Sequence, residues 1–192
     1  MERISRFQDR EIVSKDGNLI GRVKGFTFTS IDNWNVTGVT MNLEKESHEE
    51  LGKKKPFMGA LKVDIGVDTI TAVSDNILLN RNHKDMRPLL KNHIESKNIA
   101  NIIEKEVVDS QGKDIGVIED VMVDVSKWML PSILVKLDKD THEMLRIEKA
   151  PDIERRVTIP MGTISSIGDK VMLNLNKEAL GSMVQRIPVK TI

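Results

Sequence analysis

Period-two alternation of apolar and polar positions dominates the chain. In "VIEDVMVDV", Val121, Val123 and Val125 fall on one side and Asp120, Met122 and Asp124 on the other, the pattern of a half-buried strand. "SILVKL" places Ile133, Val135 and Leu137 together, and "GVTMNL" does the same with Val39, Met41 and Leu43. Phe26 and Phe28 repeat the alternation earlier. The run "EVVDSQGKDIG" predicts a short strand, a turn with Gly where positive φ is tolerated, and re-entry into a strand. "VTIPMGTISSIGDKVMLNL" predicts a strand, a turn marked by Pro160, and a hairpin at "IGD" leading to a last strand.

The same grammar occurs twice. An offset of 95 residues aligns Ile4 with Ile99, Phe7 with Ile102, Glu11 with Glu106, Gly17 with Gly112, and Ile20–Gly21 with Ile115–Gly116. One extra residue in "SIDNW" against "VSKW" shifts the offset to 94, and Trp34 then meets Trp128, Val39 meets Ile133 and Leu43 meets Leu137. After a divergent middle the offset of 94 returns, pairing Ile65 with Ile159, Thr69 with Thr163, Asp75 with Asp169 and Asn80 with Asn174. Two copies predict two similar domains rather than a solenoid, which needs three or more units. Five or six short strands in about 90 residues predict a small antiparallel barrel in each copy, because closure removes exposed edges.

The expected organisation is therefore mainly all-β, with a first domain over 1–83, a linker over 84–97 and a second domain over 98–192. Pro88 and the polar stretch "NRNHKDMRPLLKNHIESKN" mark the linker, and Pro88 to Ile103 admits a helix with Leu89, Leu90 and Ile94 on one face. A second short helix is expected in "EALGSMVQRI", stopped by Pro188.

Composition narrows the function classes. The 192 residues carry 29 basic and 29 acidic side chains, a balance unlike the basic excess of general nucleic-acid binders. Four Phe, two Trp and no Tyr leave few stacking platforms for single strands. No cysteine is present, so disulfides are impossible and a reducing, cytoplasmic setting is expected. "MERISRFQDREIV" lacks the apolar core of a signal peptide, and no apolar run reaches the length of a membrane span.

No catalytic or cofactor motif emerges, and neither a catalytic, a cofactor-binding nor a metal site is expected. His48, His83, His93 and His142 are scattered on polar segments expected to be exposed, without metal-ligand spacing. Asp120 and Asp124 share a strand face, where outward-pointing acids are ordinary. The candidate protein-binding residues are fewer. Lys53, Lys54 and Lys55 in "LGKKKPFMG" read either as a solubilising hairpin loop or as a docking loop for an acidic partner or phosphate backbone. Trp34 and Trp128, at equivalent turns, read either as barrel plugs or as interface anchors. Ile187, Val189 and Ile192 in the tail "IPVKTI" read either as a frayed end or as a strand added to a partner's edge.

"KEVVDSQGKDIGVIEDVMVD" and "IPMGTISSIGDKVML" resemble the PRC-barrel family, which includes the photosynthetic reaction-centre H subunit and the ribosome-maturation factor RimM. The resemblance covers Asn98 to Leu175 and is weaker in the first copy, where Gly25 and Thr29 stand in place of Asp120 and Asp124, and Gly66 in place of Pro160. The tandem layout is similar to archaeal cell-division PRC-barrel proteins of the CdpB type. That resemblance implies a non-enzymatic adaptor without a cofactor, a homodimer, binding the SepF-like membrane anchor of FtsZ or other PRC-barrel proteins. The balanced charge and the lack of a spanning apolar run argue against nucleic acid as a partner and against direct membrane insertion, so recruitment to the division site is expected through a partner. The alternative is an accessory factor of ribosome maturation, by analogy with RimM.

Overall fold

The computed structural model describes residues 1–30, 33–54, 57, 59–94, 98–145 and 155–186. The fold is mainly β. In chain order the first part contributes β1 (Glu2–Arg3), β2 (Glu11–Val13), β3 (Leu19–Ser30), β4 (Asn33–Leu43), α1 (Lys45–Glu50), β5 (Lys62–Gly66), β6 (Ile70–Val73), β7 (Ile77–Leu79) and β8 (Lys91–Asn92). The second part contributes β9 (Glu106–Val108), β10 (Asp114–Val123), β11 (Ser132–Leu137), α2 (Lys139–Met144), β12 (Arg156–Pro160), β13 (Ile164–Ile167), β14 (Val171–Leu173), α3 (Lys177–Leu180) and β15 (Gln185–Arg186).

Two sheets result, with one strand order. The first runs β6-β7-β2-β3-β4-β5-β8 and the second β13-β14-β9-β10-β11-β12-β15. The short strand β1 leaves its own half and pairs with β10 of the second sheet. Local details repeat as well. Asp9 and Glu104, both non-glycine residues with positive φ (62° and 69°), occupy equivalent positions. Their N–H groups donate to Val23 O at 3.0 Å and to Ile118 O at 2.8 Å, again an equivalent pair. A left-handed conformation is uncommon for such residues, so its recurrence reflects a shared backbone path.

The Ile-Gly pair of each copy has one physical cause. Gly21 faces Leu43 on β4, beside the Asn42 carbonyl, and Gly116 faces Leu137 on β11, beside the Lys136 carbonyl. A Cβ at either position would collide with that carbonyl oxygen, so the strands approach to a distance that only glycine permits.

Strand alternation builds the core. Ile12, Ile20, Phe26, Val39, Met41 and Ile65 are buried in the first half, and Val107, Ile115, Ile133, Val135, Val157 and Ile159 in the second. Phe7 meets Phe26 edge to face, centroids 5.2 Å apart and planes at 85°. The apolar cluster continues from one half into the other through Ile4, Ile99 and Ile102.

Several sequence expectations need correction. Among the described residues neither sheet closes into a ring: β6 and β8 end the first, β13 and β15 the second. The two-residue strand β8 offers too few backbone groups to complete a ring in the first sheet. Register shifts at Ile70/Ala72 and Ile164/Ser166 bend the other two edges, a device that blunts open edges without closure. The sheets are not purely antiparallel either, since β2 pairs with β7, and β9 with β14, in parallel.

The segment Pro88 to Ile103 does not form one helix. It holds a 3-10 turn at Arg87–Leu89, strand β8 drawn onto β5, and a 3-10 turn at Ile99–Ile102. Tertiary demand overrides helical spacing here, because Ile99 and Ile102 are buried at the junction between the halves. The helices α1 and α2 lie instead after β4 and β11, and α2 is capped by Asp138, whose Oδ1 accepts from Thr141 N at 2.6 Å. The expected C-terminal helix is the four-residue α3, capped by Asn176.

Candidate protein interface and the junction between halves

The two halves meet through contacts that come in reciprocal pairs. Val36 N donates to Trp128 O at 2.7 Å, and Leu130 N donates to Trp34 O at 2.8 Å. Trp34 and Trp128 are repeat equivalents, as are Val36 and Leu130, so each half offers the same donor and the same acceptor. The second pair involves the segments that enter each half. Arg3 on β1 pairs with Met122 on β10, and Asn98 bridges to Thr27 on β3. Under the offset of 95, Arg3 corresponds to Asn98 and Met122 to Thr27. The junction thus has the form of an isologous two-fold contact made inside one chain.

Sequence divergence breaks this symmetry at one point. The 3-10 turn Ile4–Phe7 has its Ser5 N–H and Oγ bonded to the Asp120 carboxylate of the other half; the N–H contact is 3.3 Å. The equivalent turn Ile99–Ile102 is capped from within its own half, Asn98 Oδ1 accepting from Ala100 N at 3.0 Å. Gly25 stands where Asp120 does, and a Cβ there would collide with the Asn98 amide. Gly25 with Asn98, and Asp120 with Ser5, are therefore two solutions to the same exposed turn terminus.

Asp120 is 2% exposed. It also accepts from Val121 N at 2.8 Å, consistent with the rule that buried charges are hydrogen-bonded. This corrects the expectation of an outward acid. The register shift between Ile118 and Asp120 turns the side chain off the solvent face. Asp124 lies beyond the end of β10 in a tight loop, accepting from Ser126 Oγ at 2.6 Å and Ser126 N at 3.0 Å. The Ser126 bonds hold its carboxyl below the usual carboxylate range, burial opposing them.

Trp34 and Trp128 are half-buried at the junction. Trp34 stacks on Phe28 with centroids 5.5 Å apart, and Trp128 adopts φ 49°. Lys53 is tied down, its Nζ donating to Leu90 O at 3.1 Å, whereas Lys54 is exposed. They follow α1 and the left-handed Gly52 rather than sitting on a hairpin. Lys55, Ile187, Val189 and Ile192 lie outside the described residues. The structure thus brings the two tryptophans to one junction and leaves Lys54 apart from it.

The histidines are not solvated loop residues. His48 is 7% exposed, and its Nε2 lies 3.3 Å from Leu43 O. His83 contacts Glu50 at 3.0 Å and Ser47 Oγ at 3.2 Å. His93 Nδ1 is 2.8 Å from Asp64 Oδ1, which also accepts from Thr40 Oγ1 at 2.7 Å. Hydroxyl and imidazole both donate to one carboxylate oxygen, so the Thr40 hydroxyl is not presented to a free ring nitrogen as a nucleophile would be. In the second half Leu134 and Thr158 replace Thr40 and Asp64. Among the described residues no group of three or more His, Cys, Asp or Glu could hold a metal ion, and no helix is long and apolar enough to cross a membrane.

Sequence reasoning missed Ser5 and Asn98 as junction residues. One signal was available: Ser5/Ala100 and Asp120/Gly25 differ between the copies together, as expected of partners. Comparison with known families places a PRC-barrel domain at residues 95–180, the span holding β9 to α3. Among curated proteins, none matches the chain.

Proposed function

We propose that this chain is a non-enzymatic adaptor built from two PRC-type units in tandem, the second being the domain at residues 95–180 and the first a diverged copy of it. The observation that carries this reading is the common strand order of the two sheets, joined by reciprocal contacts. A rigid pair of related but non-identical surfaces suits simultaneous binding of two protein partners. Their avidity then exceeds either single affinity. The process best matched by the tandem layout is archaeal cell division. The partners would be the SepF-like membrane anchor of FtsZ and other PRC-barrel proteins, and homodimers would multiply the contacts.

Affinity capture from cells with the full chain, followed by direct titration of purified SepF-like anchor, tests this. Saturable binding of the anchor supports it. Recovery of ribosomal proteins without the anchor overturns it in favour of a role in ribosome maturation.

A further inference from the structure

The stretch "GKKKPFMGA", 52–60, follows α1 and holds three lysines, no acid and one aromatic residue, Phe57. The relative exposure of Phe57 is 102%. A phenylalanine left wholly in water contributes nothing to folding through burial. Its meaning has to come from what lies beside it.

The base of this stretch is fixed. Gly52 adopts φ 64° against the Arg87 guanidinium, and Lys53 Nζ donates to Leu90 O at 3.1 Å. Those contacts hold it on the segment 84–92, "KDMRPLLKN", where Lys84, Arg87 and Lys91 are exposed. Lys54 is exposed as well. Residues 49–60 and 84–92 together carry six cations against three acids, Glu49, Glu50 and Asp85, in a chain of zero net charge. Of the acids, Glu50 is already engaged by His83 Nδ1 at 3.0 Å.

The second half lacks this combination. Under the offset of 94 its counterparts, 143–154 and 178–186, carry three cations against five acids and no aromatic residue. The cationic aromatic stretch is therefore no requirement of the repeat.

A cationic surface attracts anions, and a single ring selects among them. A protein groove draws its affinity from a cluster of packed anchors, whereas this stretch presents one ring. A bilayer interface accepts a single aromatic ring at headgroup depth, and its anionic lipids attract cations without fixed geometry. No spanning segment is needed. One such contact is weak, and stable attachment takes a second signal, which recruitment by a protein supplies.

We propose that Lys54 and Phe57, with Lys84, Arg87 and Lys91 on the supporting segment, form a contact site for an anionic lipid surface. Phe57 enters the headgroup layer and the cations face the lipid phosphates. The inference goes beyond the adaptor reading and does not depend on it, since purified chain and vesicles contain no protein partner. The test is co-sedimentation of the full chain with vesicles of phosphatidylglycerol and phosphatidylcholine in equal parts, beside vesicles of phosphatidylcholine alone. Saturable adsorption to the anionic vesicles only, lost at about 0.5 M salt, is expected. K54A should weaken it about fivefold. F57S should weaken it by about as much, through the lost apolar contact. Both positions are exposed, so both variants should keep the wild-type melting temperature. In F57W, bromine-labelled lipid chains should quench the added tryptophan and leave the wild-type emission of Trp34 and Trp128 unchanged. Absence of adsorption at millimolar anionic lipid, or adsorption that both K54A and F57S leave unchanged, overturns the proposal. Binding of soluble polyglutamate without any adsorption to vesicles also overturns it, in favour of an acidic protein partner.

Discussion

Replacing Asp120 by Ala tests the junction most directly. The carboxylate is 2% exposed and accepts from Val121 N at 2.8 Å, from Ser5 N at 3.3 Å and from Ser5 Oγ at shorter range. Hydrogen bonds to a charged group contribute about 1.5–3 kcal/mol each. The long Ser5 N contact adds little, and Ser5 lies at an exposed position where water replaces part of the lost bond. Loss of the carboxylate also relieves its burial penalty. The expected destabilisation for Asp120→Ala is about 2–3 kcal/mol. Ser5→Ala alone should lose about 1 kcal/mol. Because the two residues share their bond, the double variant should lose less than the sum, with a coupling of about 1–2 kcal/mol. Urea denaturation followed by tryptophan fluorescence suits the measurement, since Trp34 and Trp128 both sit at this junction. A coupling near zero would mean that the halves are not clamped through this pair, and the assignment of Asp120 and Ser5 as junction partners would be wrong.

Gly116→Ala should destabilise by about 2–3 kcal/mol, and Gly21→Ala similarly, because the Lys136 and Asn42 carbonyls block a Cβ; stability within a few tenths of wild type in denaturant melts would refute the close approach. Gly25→Ala should displace the Asn98 side chain and uncap Ala100 N at about 1 kcal/mol, and adding Ala100→Ser to Gly25→Asp should restore part of it by installing the clamp of the other half. Asp109 is fully buried, and although burial raises its pKa, the N–H groups of Lys113, Gln111 and Lys177 leave it lowered. Its stabilisation is therefore present above the unfolded value of about 3.9 and lost as pH falls below it, so unfolding curves between pH 2 and about 5 should be flatter for Asp109→Asn. Trp128 adopts φ 49°, so Trp128→Gly should be more stable than Trp128→Ala by about 0.5–1 kcal/mol; the reverse order would contradict the left-handed backbone.

The sequence by itself determined the repeat, the turn at Gly17 and Gly112, the Ile-Gly positions and the apolar faces of β4, β10 and β11. These features are local: a side chain's face follows from its parity along a strand, and a glycine marks a backbone that no other residue tolerates. Tertiary structure alone decided that β1 crosses to the second sheet, that Asp120 is buried against Ser5, that the edges of the described sheets stay open, and that His48, His83 and His93 pack against carbonyls and carboxylates. Ser5 and Asp120 are 115 positions apart, and the burial of one depends on where the other half docks. A period-two pattern reports which face of a strand is apolar. It carries nothing about which partner covers that face, because hydrophobic burial is non-directional and the choice of partner is made by the backbone pairs and caps that fit.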